Sequence, residues 1–184
     1  MKTLKTILIL FISILYSQNR PVSTYSIVAY DKKTGELGVA VQSHWFSVGS
    51  VVPWAKAGVG AVATQSFVKI EYGPEGLELM EKGFTAQEAL DSLVSRDTGS
   101  AVRQVGMVDV NGVVAVHTGE KCIEFAGHKT GKNFTVQANI MASPAVWPLM
   151  AMTFEQTEGD LAERMMVALE AAQAEGGDLR GKQS

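Results

Sequence analysis

The sequence is poor in the residues that would tie the chain covalently or mark it as a nucleic-acid binder. It has one cysteine, Cys122, so an intramolecular disulfide is excluded. Its 16 basic and 19 acidic side chains leave a formal net charge of −3, with no basic stripe or block of like charge. Nucleic acid is therefore not expected as a partner. With 46% apolar residues in 184, we expect one domain with a real core.

Common catalytic motifs are also missing. The sequence has no GxGxxG after a strand, no Walker loop, no HExxH and no GxSxG elbow, so no cofactor is expected. His44, His117 and His128 are not spaced as metal ligands on one helix or turn. A metal-dependent hydrolase that uses these histidines or Cys122 is an alternative, but the spacing of the residues gives it no support. No metal is predicted.

The N-terminus has the pattern of an export signal. Lys2 and Lys5 precede an apolar run from Ile7 to Tyr16, which is shorter than the about 20 residues that span a bilayer. We predict a signal peptide over residues 1–17, a short leader over 18–23 and a secreted or periplasmic protein. No cysteine lies near the junction, so no membrane anchor is expected in the mature form. A buried N-terminal strand or helix is the alternative.

The next segments predict a β-hairpin. Residues 24–30 and 37–43 are rich in β-branched and apolar residues, and the polar segment between them contains a glycine. The turn places Thr24 opposite Ser43 and Ser26 opposite Val41. Because both strands are apolar at nearly every position, we expect them to be covered on both faces.

A second hairpin is predicted between residues 48–52 and 58–65. It brings Gln65 back beside Ser47 and places a polar group at one end of the sheets. The residues expected there are Thr24, Ser43, His44, Ser47 and Gln65.

The rest of the chain alternates between helical and strand patterns. Helical spacing ends at Gly83, and Thr85 with Glu88 forms a capping box. Asn111-Gly112 between apolar runs predicts another hairpin. Residues 122–125 are at best a short strand, residues 134–141 alternate as a strand, and a C-terminal helix follows Asp160. This order of strands, helices, strands and helices indicates an α+β fold with segregated layers.

Several stretches, taken together, resemble a known bacterial family. They are TYSIVA at 24–29, GELGVAV at 35–41, VVPWA at 51–55, GVGAVATQ at 58–65, YGP at 72–74, VRQVG at 102–106, AGH at 126–128, GGD at 176–178 and RGKQS at 180–184. They are similar to the domain of unknown function 1028, a family of the N-terminal-nucleophile hydrolase superfamily. The resemblance covers nearly all of residues 24–184 and implies a four-layer αββα sandwich. Relatives continue into another apolar strand, so the domain is expected to lack its last strand.

The resemblance also implies a function. In that superfamily the first residue of the mature chain is the nucleophile and its own α-amine is the base, and Thr24 matches the family's threonine. Ser43, His44, Gln65 and Asn139 are the candidate substrate-binding residues for an amide-bond hydrolase acting on an unknown small molecule or peptide. After an export signal this chemistry needs a second cut, after Ser23. A non-catalytic secreted binding domain is the alternative, and a homo-oligomer is left open.

Overall fold

The computed structural model of the chain describes residues 24–182, and the predicted signal peptide and leader lie outside this range. Eight strands form two four-stranded antiparallel sheets. The strands are β1 Thr24–Asp31, β2 Glu36–Ser43, β3 Pro53–Lys56, β4 Gly60–Ser66, β5 Arg103–Asp109, β6 Val114–Thr118, β7 Gly127–Gly131 and β8 Phe134–Asn139. The first sheet has the order β2-β1-β8-β7 and the second has the order β3-β4-β5-β6.

Four α-helices complete this part of the chain. They are α1 Tyr72–Glu81, α2 Ala86–Arg96, α3 Val146–Gln156 and α4 Leu161–Ala174, with short 3₁₀ turns at Val48–Ser50 and Ser100–Val102. The α+β class expected from the order of segments is confirmed. Between residues 24 and 182, none of the helices is long and apolar enough to cross a bilayer.

Buried clusters join residues of the first sheet with α3 and α4, residues of the second sheet with α1 and α2, and residues of the two sheets with each other. From β1, Tyr25 and Ile27 join a buried cluster with residues of α3 and α4. Val28, on the opposite face of the same strand, packs between the sheets with Val108 of β5. Since side chains alternate along a strand, this double coverage explains why β1 is apolar on both faces, as expected. The second sheet packs Met107 of β5, among others, against α1 and α2.

The local signals in the sequence place several elements correctly. β1 and β2 pair with Thr24 opposite Ser43 and Ser26 opposite Val41, which confirms the predicted register. The capping box before α2 forms, with the Glu88 N–H donating to Thr85 Oγ1.

The predicted strand over residues 48–52 is wrong. Residues 48–50 form a 3₁₀ turn, and the hairpin strand β3 begins at Pro53 and pairs with β4. Gly49 and Ser50 are weak strand formers, whereas Pro53, which has no N–H, is suited to the first position of an edge strand.

Strand β7 was not predicted from the sequence. Residues 122–125, considered at best a short strand, form none, and the strand that pairs with β8 is Gly127–Gly131. This strand has a glycine at each end and polar residues between them, so neither β-propensity nor apolar alternation marks it. Its pairing with β8 is what makes it a strand.

Candidate functional site

Thr24 is the first residue of β1 and lies between two strand partners. Its Cα partners are Ser43 of β2 on one side and Asn139 of β8 on the other. The Thr24 Oγ1 hydroxyl donates a hydrogen bond of 3.3 Å to Ser43 Oγ, which also accepts the N–H of Trp45 at 3.0 Å. Two residues predicted for the site therefore flank the predicted nucleophile, and Ser43 orients its hydroxyl.

Gln65 reaches the same point from the other sheet. It lies on β4, and its Nε2 donates to the Thr24 carbonyl oxygen at 3.2 Å. Its Oε1 accepts the Ser26 hydroxyl at 2.6 Å. One side chain thus joins the two sheets at the end of β1 and holds the Thr24 backbone.

Two further glutamines extend these contacts into a buried layer. Gln104 Oε1 accepts from Gln65 Nε2 at 2.7 Å and from Asn139 Nδ2 at 3.0 Å. Gln137 Nε2 donates to Ser26 Oγ at 2.6 Å. We call this set the polar layer. Its members, which have no exposed surface, are Thr24, Ser26, Gln65, Gln104, Gln137 and Asn139.

The sequence predicts Thr24, Gln65 and Asn139 as site residues, but it does not point to Ser26, Gln104 or Gln137. The registers contain the signal that could have found them. Gln104 lies opposite Gln65 on the neighbouring strand β5, and Gln137 lies opposite Ser26 on the neighbouring strand β8. An uncharged polar residue at an inward position of an otherwise apolar strand needs a hydrogen-bond partner, and four such residues can serve one another.

Gly106 gives the polar layer its space. A β carbon at this position would lie 2.4 Å from Gln137 Oε1, closer than real contacts allow. The glycine of the segment VRQVG is therefore explained by the close approach of a side chain from the facing sheet. No turn is needed to account for it.

His44 lies at the same end but contacts the C-terminal segment. Its N–H donates to Asp178 Oδ2 at 2.8 Å, and its ring lies beside Gly181. Burial pushes the pKa of Asp178 upward, but hydrogen bonds from Arg180 and from the His44 N–H outweigh this and hold the pKa below its usual value. His44 Nδ1 is buried and has no hydrogen-bond partner among the described residues.

Backbone strain concentrates at this end of the molecule. Ser47, Ser66 and Ile140 have φ of 55°, 70° and 57°, in the left-handed region that non-glycine residues avoid. Ser66 directly follows Gln65, and Ile140 directly follows Asn139. Such residues cost about 1–3 kcal/mol each and cluster at functional sites. The strain thus lies next to the polar layer.

Comparison with known proteins identifies the family. The sequence model described as a family of unknown function, DUF1028, matches residues 24–184. The chain belongs to this DUF1028 family. A crystal structure of a DUF1028 protein from Silicibacter pomeroyi superposes with a TM-score of 0.81 at 28% identity, covering 84% of this chain and 69% of that one. Among the curated proteins, none matches the sequence.

Two of the three histidines of the metal-site alternative, and its cysteine, bond other groups in this DUF1028 chain. His117 Nε2 bonds the Ser100 carbonyl at 2.8 Å, and His128 Nδ1 bonds Thr118 Oγ1 at 2.9 Å. Burial raises the pKa of the Cys122 thiol, which makes a thiolate ligand less available. Within residues 24–182, no three His, Cys, Asp or Glu side chains lie close enough to share a metal ion.

Proposed function

We propose that this DUF1028 chain is a secreted or periplasmic amide-bond hydrolase of the N-terminal-nucleophile type, with a four-layer αββα sandwich and Thr24 as nucleophile. The observation that carries the proposal is the placement of Thr24. Ser43 holds its hydroxyl and Gln65 holds its carbonyl, at the strained end of a buried polar layer. The family match also begins at Thr24.

The proposed chemistry needs the α-amine of Thr24 to be free. An α-amine has a pKa of about 8, so a useful fraction is unprotonated at neutral pH and can serve as a base. The amine takes the Oγ1 proton while Oγ1 bonds to the substrate carbonyl carbon, and the carbonyl electron pair moves to its oxygen. One residue therefore supplies both nucleophile and base.

The tetrahedral species then collapses. Its C=O bond re-forms, the C–N bond breaks, and the Thr24 ammonium gives its proton to the leaving amine. The acyl group remains on Oγ1 as an ester. Water, deprotonated by the same amine, attacks the ester, releases the carboxylic acid and returns the proton to Oγ1.

The predicted site residues divide into two roles. Ser43 and Gln65 are positioning residues in this proposal, because they touch the hydroxyl and the carbonyl of Thr24. Gln65 and Asn139 also donate amide protons to Gln104 Oε1, which ties the end of β8 to β4 and β5 of the facing sheet. His44, with its buried ring nitrogen, is the candidate for substrate contact.

The free amine requires two cuts in the chain. The first, after Ser17, removes the predicted signal peptide, and the second, after Ser23, removes the leader. The residues on the N-terminal side of Thr24 lie outside those that the structure describes. Processing is therefore the part of the proposal that must be tested first.

The test combines mass spectrometry of the exported protein with amide hydrolysis by two variants. We expect a mature N-terminus at Thr24, loss of turnover by at least a thousandfold in Thr24→Ala, and partial retention in Thr24→Ser, which keeps a hydroxyl. A mature N-terminus at Gln18 would argue against the proposal. Unchanged turnover in Thr24→Ala would reject Thr24 as nucleophile.

One observation favours the alternative of a non-catalytic secreted binding domain. Thr24 has no exposed surface, and a nucleophile must meet its substrate. In that case Thr24→Ala keeps the binding of the natural ligand, and no amide substrate is turned over by the protein with Thr24 as its first residue.

A further inference from the structure

Strand β2 is the longest of the edge strands within residues 24–182. It has eight residues, against five in β6, five in β7 and four in β3. Two of the other edges carry groups that discourage strand addition, which are Pro53 and Lys56 in β3 and a lysine in the middle of β7. Strand β2 pairs with β1 in a regular register and has no charged residue or proline from Leu37 to Gln42. It is therefore the edge most open to pairing with a further strand.

Alternate backbone groups of β2 point away from β1. The Tyr30 N–H donates to the Asn133 carbonyl at 2.9 Å on the β8 side, so the Tyr30 backbone does not bond its β2 partner, Leu37. In an antiparallel pair, the N–H and C=O of such a partner point outward, and this repeats at every second residue. The backbone groups of Leu37, Val39 and Val41 therefore line the open edge. No other segment of the described chain pairs with them.

A groove follows this edge between β2 and α4. A cavity of about 320 Å³ is lined by residues 36–40 and by α4 residues that include Met166. A second cavity, of about 430 Å³, is lined by Val41, Gln42 and α4 residues that again include Met166. Because successive side chains point to opposite faces, a cavity that touches five successive residues meets the strand at its edge. The two cavities are adjacent, and together we call them the edge groove.

The middle of the edge groove is apolar. Met166, which lines both cavities, is 52% exposed. The charged residues of the lining are Glu36 at one end and Glu170 and Lys182 at the other. The unused backbone groups of β2 require a partner that is itself extended. An occupant that fits is therefore a β-strand with an apolar middle.

We propose that the occupant is β2 of a second copy of this chain, in a symmetric dimer whose first sheets join edge to edge. Hydrogen-bonded antiparallel pairing requires outward residues to face outward residues. A two-fold axis at Val39 meets this requirement, because Val39 then lies opposite its own copy and Leu37 lies opposite Val41. Each such pair exchanges two hydrogen bonds, so the outward groups of all three residues gain partners.

The charges of the edge groove agree with this arrangement. Antiparallel pairing keeps the two copies of Glu36 at opposite ends of the interface, where each lies opposite the uncharged Gln42. Each Glu36 also approaches the end of the other copy's groove where Lys182 lies with Glu170. Met166 lies near the two-fold axis, so the two copies cover each other's exposed methionine. A copy of β2 thus fits the groove at both its ends and its middle.

The first test compares two methionine variants by analytical ultracentrifugation of the purified protein over a range of concentrations. Met166→Glu should weaken dimerisation at least about tenfold, because two carboxylates then meet near the two-fold axis. Met152→Glu is the matched control, since Met152 is 48% exposed and lies on α3, which packs on β7 and β8 at the other side of the same sheet. It should change the dissociation constant by less than about twofold.

Two outcomes of this test would overturn the inference. One is an equal loss of dimerisation in Met166→Glu and Met152→Glu. The other is an unsubstituted protein that stays monomeric at every concentration, which would leave the edge groove to another strand, such as the one that the domain is expected to lack.

Amide hydrogen exchange tests the register. In concentrated protein, the N–H groups of Leu37, Val39 and Val41 should exchange at least about tenfold more slowly than in diluted protein or in Met166→Glu. The N–H groups of the intervening residues face β1 and should be equally protected in all three samples. A dimer in which the slowed amides lie only in other segments would contradict the proposed interface. Neither measurement involves amide hydrolysis, so this inference succeeds or fails apart from the hydrolase proposal.

Discussion

The space between the two sheets has two ends of opposite character, built from the same strands. At one end β1, β4 and β5 contribute Ser26, Gln65 and Gln104 to the polar layer. Further along, the same strands contribute the apolar residues Val28, Ala63 and Val108. Both ends are buried, so solvent exposure cannot explain the difference. An apolar end stabilises without needing directional contacts, whereas a polar end is tolerated only if its hydrogen bonds are satisfied.

In the proposed hydrolase, the polar end would position Thr24 in addition to contributing to stability. Replacing satisfied buried polar groups by apolar groups of similar shape is often nearly neutral for folding. The polar end also carries Ser66 and Ile140, whose backbones are strained. Asn133 also has a positive φ, but it lies in the turn between β7 and β8. The buried polar side chains and the strained backbone positions therefore lie at the same end of the sheets as Thr24.

The largest expected effect on stability comes from breaking the polar end. Gln104→Ala removes the acceptor of Gln65 Nε2 and Asn139 Nδ2 and the donor to the Ala138 carbonyl. We expect the free energy of unfolding to fall by about 3 kcal/mol or more, because at least three hydrogen bonds between buried groups are lost and each is worth about 1 kcal/mol. Urea unfolding measures it. The exposed Gln87 of α2 is the control, where alanine should change stability by less than about 0.5 kcal/mol.

A smaller effect comes from adding a polar group to the apolar end. Val28→Thr keeps the side-chain shape but places a hydroxyl among Val52, Ala61 and Val108. The expected loss is about 1–3 kcal/mol, because the hydroxyl is desolvated without a side-chain partner there. The reciprocal change, Thr24→Val, should cost less stability than Val28→Thr while abolishing turnover. Comparable stability losses in both would mean that the two ends do not differ as described.

The smallest effect concerns the link between His44 and the C-terminal segment. The pKa of Asp178 is lowered in the fold, so its stabilisation is present above the unfolded pKa of about 3.9 and is lost as the pH falls through the folded value. Asp178→Asn should therefore lose about 1–2 kcal/mol at pH 7 and converge with the unsubstituted protein in acid. Asp97 is the comparison, because its pKa is also lowered but its carboxylate bonds Arg103 and Tyr72 and not the His44 segment. Urea unfolding at pH 7 and in acid measures the loss, and an equal loss at both pH values would contradict the prediction.

Sequence patterns predicted the placement of the candidate site residues as far as local strand pairing reaches. Thr24 and Ser43 are joined by one turn, so their register follows from the hairpin alone. The contact of Gln65 with Thr24 joins the two sheets. From the sequence we expect only that the two residues lie at the same end of the sheets. The bond from His44 to Asp178 spans 134 residues, a separation at which no local pattern carries information. The strand β7 was missed because its partner, and not its composition, makes it a strand.

The two anchors of Thr24 engage its hydroxyl and its carbonyl, and both groups belong to the part of the residue that a cut before it leaves intact. In the proposed hydrolase, removal of the leader would therefore free the α-amine of a residue whose hydroxyl and carbonyl already have these partners.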